Sequence, residues 1–204
     1  MVELAKGKAE KENLSNIEHS VASINDLSAF ESGSQDVVTS NFGLMFTEDL
    51  PGALAEIHRV LRPGGHMVAT VWEQNSLMTV CGATMVYLLG EAPPPPPLNP
   101  LSMKDPDVVD PKLSAAGFLP AVGHNSTLPL DFVMDASDPK TYKVICLPIK
   151  PKIDELQEAA EEGVDVYADA QRDVKEFCES EQFIDSGNLC ISGIYRILLV
   201  SKPA

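Results

Sequence analysis

Between residues 36 and 72 the spacing of apolar positions changes from strand-like to helical and back again, and most of what the chain discloses about its fold lies there. "DVVTSNFGLMF" (36–46) opens with β-branched apolar residues, as buried parallel strands do when both faces are covered, so Asp36 to Ser40 are expected as a strand. Leu54, Ile57, Val60 and Leu61 then recur at helical spacing, the stripe of a helix packed on a sheet. Thr47 is its expected cap, and Pro51 falls in the first turn, where a missing N–H is tolerated. Arg62-Pro63 is expected to stop the helix and Gly64-Gly65 to allow the chain to reverse, after which "HMVATVW" (66–72) reads as the next strand. Strand, helix and strand in this order form a βαβ unit with a right-handed crossover.

The flanks are read the same way. Met1 to about Asn13 is expected as a helix with Leu4, Ala5 and Ala9 on one side, "IEHSVAS" (17–23) as a short strand, and "ESGSQ" as a loop. Beyond Glu73 comes an apolar helix, Ser76 to Leu89, and then Pro93 to Pro97, which predict extended polyproline II. A helix from about Asp107 to Ala116 ends at Gly117, and "FLPAVGHNSTLPLDF" (118–132) offers a strand interrupted by prolines. Helices are expected near 137–147, 151–162 and 167–180, the last burying Tyr167, Ala170, Val174 and Phe177. "NLCISGIYRILLVSKP" closes the chain as a strand antiparallel to its neighbours.

Composition narrows the classes. At 204 residues, 44% apolar and 22% charged, the chain suits one globular domain. A net charge of −15 repels phosphate backbones, which argues against a nucleic-acid partner. The N-terminus lacks the apolar core of a signal peptide, and Leu77 to Leu89, the longest apolar run, falls short of the roughly 18 residues of a membrane span, so no membrane is expected. Cys81, Cys146, Cys178 and Cys190 form no CxxC pair and the four histidines show no ligand spacing, so no metal is expected and the cytoplasm is the expected compartment.

The run 36–72 resembles the second half of a class I S-adenosylmethionine-dependent methyltransferase, in the small-molecule group of the ubiquinone and menaquinone methyltransferases. Its marks are Asp36-Val37-Val38, Phe42-Gly43-Leu44, Glu56 with Arg59-Val60-Leu61, and Pro63-Gly64-Gly65. Similarity continues through "PPPPLNPLS", "LSAAGF" and "GIYRILLVSKP". The resemblance implies a Rossmann-like α/β sheet in the order 3-2-1-4-5-7-6 with a helical substrate cover. "IEHSVAS" takes the place of the third strand, "DVVTS" of the fourth, "HMVATVW" of the fifth, the region after Phe118 of the sixth and "GIYRILLVS" of the seventh. One domain is implied, with residues 1–72 as remaining cofactor-side core, 73–187 as the sixth strand plus cover, and 188–204 as the final strand.

The same resemblance implies S-adenosylmethionine as cofactor and a small-molecule methyl acceptor. Ser23 and Ile24 fall where the family has an Asp and a small residue beside the adenine, and Asn41, followed by Phe42, falls near the methionine end; Asn41 also reads simply as a turn residue. Met45, Trp72 and Met78 are the implied substrate pocket, or plain core. Catalytic residues are not identified beyond Glu73, just past the fifth strand, as a candidate base. Pro93 to Pro97 could also serve as an SH3-type ligand. The family's first two strands, with their Gly-rich loop and ribose carboxylate, have no counterpart, so the sheet is expected to be N-terminally truncated. Three arrangements would relieve the exposed edge left at Asp36 to Ser40: the third strand moves against the fourth, a second copy covers it, or the sequence is a fragment of a longer protein, which is placed first. The competing function is a non-catalytic remnant or interaction module with little or no cofactor binding.

Overall fold

The computed structural model describes residues 2–94 and 99–204. A helix at Val2–Lys11 (α1) and an irregular segment lead into Gln35–Asn41 (β1), Leu50–Val60 (α2) and Leu61–Asn75 (β2). β1 and β2 run parallel, with Val37 opposite His66 and Ser40 opposite Ala69, so the βαβ unit of the sequence forms. α2 buries Ala53, Leu54, Ile57 and Val60. At about 1.5–3 kcal/mol for each fully buried Leu, Ile or Val side chain, that stripe is the main attachment of the helix to the sheet.

The ends of α2 differ from expectation. Its cap is Asp49, whose carboxylate accepts from the Gly52 N–H at 3.0 Å, while the Thr47 hydroxyl donates to the Asn25 side chain at 2.7 Å. The helix stops at Val60, and Leu61 is already extended. Pro63 disfavours helical backbone at Arg62, so the break precedes the proline rather than falling on it. Gly64 then takes φ +74°, and a Cβ on Gly65 would lie 2.9 Å from the Asp36 carbonyl, so β1 passes too close for any side chain there.

β2 continues into Ser76–Leu89 (α3), followed by Pro106–Ala115 (α4), Leu119–Pro120 (β3) and Ser126–Asp135 (β4). Then come Pro139–Ile145 (α5), Lys150–Ala159 (α6), Val166–Ser180 (α7), Ile184–Asp185 (β5) and Asn188–Ser201 (β6). Pro95 to Pro97 of the expected polyproline run lie outside the described residues. α4 closes with Gly117 at φ +90°; the Phe118 N–H donates to Leu113 O and the Gly117 N–H to Ser114 O, each at 3.0 Å, the double bond of a Schellman cap. The single strand expected over 118–132 is two, split by a turn in which Gly123 and Asn125 both adopt positive φ.

The sheet order is β1-β2-β6-β3, with β4 and β5 also paired to β6. β6 is antiparallel to β2 and to β4, as expected of the closing strand. One core lies where α2, α4 and the sheet meet; a second joins α3, α5, α6 and α7 to Leu189 and Ile191 at the start of β6. Burial in the second core pushes the Cys81 thiol up to about 12 and those of Cys146 and Cys178 up to about 11, which keeps them protonated and unreactive near neutral pH.

Two further expectations are corrected. "IEHSVAS" is not a strand: residues 17–22 are irregular, and Ser23 makes only an isolated bridge to Asp26. An extended segment needs a neighbour for its backbone groups, and the following residues are drawn onto α2 instead of the sheet. The Leu27 N–H donates to Glu56 at 2.8 Å, Arg59 donates to the carbonyls of Leu27 and Phe30 at 2.9 and 3.0 Å, and the Gly33 N–H donates to the Arg59 carbonyl at 2.9 Å. In α7 the fully buried stripe is Val166, Ala170, Val174 and Cys178, with Tyr167 and Phe177 half-buried at its flanks. Ala170 and Val174 are common to the expected and observed stripes, and at its two ends Val166 and Cys178 take the buried places. Among the described residues β1 pairs on one side only, and Val37 is 52% exposed.

Candidate functional site

Ligand sites in open parallel sheets lie beyond the carboxyl ends of the strands. At the end of β1 the Thr70 hydroxyl donates to Asn41 Oδ1 at 2.7 Å, which directs the Asn41 amide donors away from the sheet; among the described residues they have no partner. Phe42 then adopts φ +51°, a left-handed turn held by its N–H on Thr70 Oγ1 at 3.1 Å. That turn lays the Phe42 ring on Trp72, with centroids 4.3 Å apart and planes within 17°, and edge-on to Tyr195 at 5.8 Å. Trp72 in turn lies across β6 because residue 193 is glycine: a Cβ there would stand 2.8 Å from the indole. Met45 is fully buried in the first core, where its carbonyl accepts from Ser102 Oγ at 2.9 Å.

The end of β2 forms a second locus. Glu73, Gln74, Asn75, Ser76, Met78, Thr79, Leu101 and Lys104 line an open cleft of about 460 Å³. Of the implied residues the structure thus brings Glu73 and Met78 together, groups Trp72 with Phe42, and holds Met45 in the core. Ser23 and Ile24 sit at a separate corner, tied to the same end of the sheet through Asn25, which donates to the Asp49 carbonyl at 2.7 Å and accepts from Thr47. The Ser23 hydroxyl accepts from the Asn25 N–H at 3.2 Å, and Ile24 packs on the first core.

Arg196 escaped the sequence reading altogether. It lies in β6 opposite Val71, is 1% exposed, and donates to the Met103 carbonyl, while its Nε and Nη1 have no partner among the described residues. Burial draws its pKa down, against the pull of Asp110, Glu73 and Asp105. A basic residue inside an otherwise apolar strand, "GIYRILLVS", was the signal that could have found it.

The Asn41 amide N–H groups, without a partner among the described residues, can donate to a carbonyl or anionic group at the strand end. The Ser23–Ile24 corner offers a hydroxyl and an apolar side chain, and the carboxylate nearest in the chain, that of Asp26, accepts from the Ser28 N–H at 3.1 Å.

The fold is a Rossmann-like mixed α/β sheet with helices packed over its later strands. Residues 1–69 match the model of a methyltransferase domain. The demethylmenaquinone methyltransferase of Lactococcus lactis is 47% identical over 68 residues, 33% of this chain and 27% of that protein, so the chain spans about a quarter of the length of the curated relative it matches. A protein of Bacillus halodurans assigned as a methyltransferase superposes with a TM-score of 0.59 at 13% identity, covering 100% of this chain and 79% of that one. The YcgJ protein of Bacillus subtilis gives 0.52 at 15%, with the same coverage. The first third of the chain is thus similar to a methyltransferase domain, and the sheet order β1-β2-β6-β4 is the 4-5-7-6 order implied by the resemblance to the class I S-adenosylmethionine-dependent methyltransferases.

Proposed function

We propose that the chain serves the transfer of a methyl group from S-adenosylmethionine to a small-molecule acceptor in the cytoplasm. The observation that carries this is the family's strand order around a βαβ unit with Asn41 and Phe42 at one strand end and an open cleft at the next. The cofactor supplies an electrophilic methyl on a sulfonium. Asn41 donates to its methionine end, and Ser23 and Ile24 flank its adenine side. Phe42 and Trp72 form an apolar wall, and Met78 lines the acceptor's seat, with Met45 supporting that wall from the core. Glu73, which lines the cleft and has no hydrogen-bond partner among the described residues, is the proposed base for the proton that the acceptor loses as its new bond to carbon forms and the carbon–sulfur bond breaks. Most of the acceleration comes from alignment, because direct displacement at a sulfonium needs little further assistance. The domain division proposed is residues 1–72 on the cofactor side, 73–187 as cover and 188–204 as final strand, and a second copy covers the free edge of β1.

Titration calorimetry with S-adenosylhomocysteine tests the reading. A dissociation constant in the micromolar range, about −8 kcal/mol, is expected. No heat at millimolar ligand would instead make this a chain that keeps the fold without the cofactor.

A further inference from the structure

Asn41 carries more hydrogen-bonding capacity than the fold uses. It is the last residue of β1, opposite Thr70 of β2, and it is exposed. An asparagine in such a place commonly serves a turn, by taking left-handed backbone or by bonding to the backbone beyond it. Neither applies here. The left-handed residue is Phe42, while Asn41 itself stays in the strand. The turn is closed by other groups: Ser40 Oγ accepts from the Leu44 N–H at 3.0 Å, and the Phe42 N–H reaches both the hydroxyl and the carbonyl of Thr70, at 3.1 and 3.2 Å. Among the described residues the one bond of the Asn41 side chain is its 2.7 Å contact with the Thr70 hydroxyl.

That contact has a direction. A threonine hydroxyl has one hydrogen to donate, and the Thr70 oxygen already accepts from the Phe42 N–H. Asn41 Oδ1 is the acceptor that the hydrogen finds among the described residues; with the amide turned the other way it would find none there. Oδ1 therefore faces Thr70, and both amide N–H groups face away from it. An asparagine side chain ordinarily offers a donor and an acceptor side by side. With its oxygen held by Thr70, this one offers donors. A carboxylate or carbonyl oxygen satisfies them, and an ammonium does not.

We propose that Thr70 is a positioning residue: by fixing the Asn41 amide as a donor, it makes the end of β1 select the carboxylate of the methionine part of S-adenosylmethionine over the ammonium beside it. Thr70 acts through Asn41 and does not itself meet the ligand. The inference rests on the methyl-transfer reading for the identity of that ligand, while the orientation of the amide can be tested without it.

The test uses the full chain, titration calorimetry and two probes: S-adenosylhomocysteine, and its decarboxylated analogue, which keeps the ammonium and lacks the carboxylate. The parent chain should bind the first about tenfold more tightly, the worth of one charge-assisted hydrogen bond. Thr70→Val keeps the β-branched shape and removes the hydroxyl. It should weaken S-adenosylhomocysteine about threefold to tenfold, as the amide regains its rotation, and leave the analogue unchanged. Thr70→Ser should keep the parent's preference, and Asn41→Ala should abolish it. Trp72 emission should stay put in Thr70→Val, because the Phe42 N–H keeps the Thr70 carbonyl and the ring its place on the indole. Equal losses for both probes, an unchanged preference in Thr70→Val, or no rescue by serine would overturn the proposal. Should Thr70→Val not fold, Asn41→Ala decides, and a preference equal to the parent's sinks it. The Asn41 side-chain amide signals give a measurement free of ligand: they should shift in Thr70→Val and not in Thr70→Ser. A parent chain that binds neither probe defeats the methyl-transfer reading, and those signals then decide the role of Thr70, with identical spectra in Thr70→Val counting against it.

Discussion

Gly193 shows how one residue without a side chain orders the stacked pair of Phe42 and Trp72. A methyl group there would press on Trp72 at 2.8 Å and on the Gln74 carbonyl at 3.0 Å, both closer than packed atoms tolerate. Gly193→Ala should destabilise the fold by about 1–3 kcal/mol, the usual cost of overpacking, measured by urea unfolding. Trp72 is the sole tryptophan, so its fluorescence should shift to the red as the indole leaves its place under Phe42. Unchanged emission would mean that Gly193 does not position the ring. Phe42 and Trp72 could be singled out from sequence by resemblance. Gly193 and Arg196 could not, since a glycine and an arginine in a strand acquire meaning only when the facing atoms are known.

At the scale of elements, α2 does more than cross between two strands. Glu56 and Arg59, bonded at 2.7 Å, hold the segment 27–33 along the helix. The Arg59 guanidinium beside Glu56, with the Leu27 N–H, holds the Glu56 carboxyl down at about 2. Its contribution is therefore complete above the ordinary glutamate pKa of roughly 4.5 and is lost as pH falls toward about 2. Urea midpoints of the parent chain should drop over that window. Glu56→Gln should begin lower at pH 7 and lack that part of the slope; parallel curves would show that the clamp contributes nothing. Helices α2, α3 and α4 were legible within a residue or two because an apolar period and a proline or glycine mark their ends. The strand expected at 17–23 was not, because short alternation predicts an extended segment only where a neighbour accepts its hydrogen bonds.

For the whole molecule, the consequential fact is the free edge of β1. It is a strand of seven residues, Gln35–Asn41, without lysine or proline to discourage pairing. If a second copy covers it, sedimentation should find dimers at about 100 µM protein, a concentration at which even a weak, roughly micromolar interface is filled. Val37→Lys together with Thr39→Lys should return the chain to monomers without lowering Tm, because both side chains are exposed. A parent chain that stays monomeric would sink the idea. Sequence alone determined the βαβ unit and the antiparallel closing strand, because these rest on local periodicity and turn chemistry. Only the tertiary structure decided that β1 stands at an edge, that the segment before it lies on α2, and that an arginine of the last strand is buried with its guanidinium on the Met103 carbonyl. Those outcomes depend on which distant groups find partners, and hydrogen-bond satisfaction across the fold is not written in any one stretch of chain.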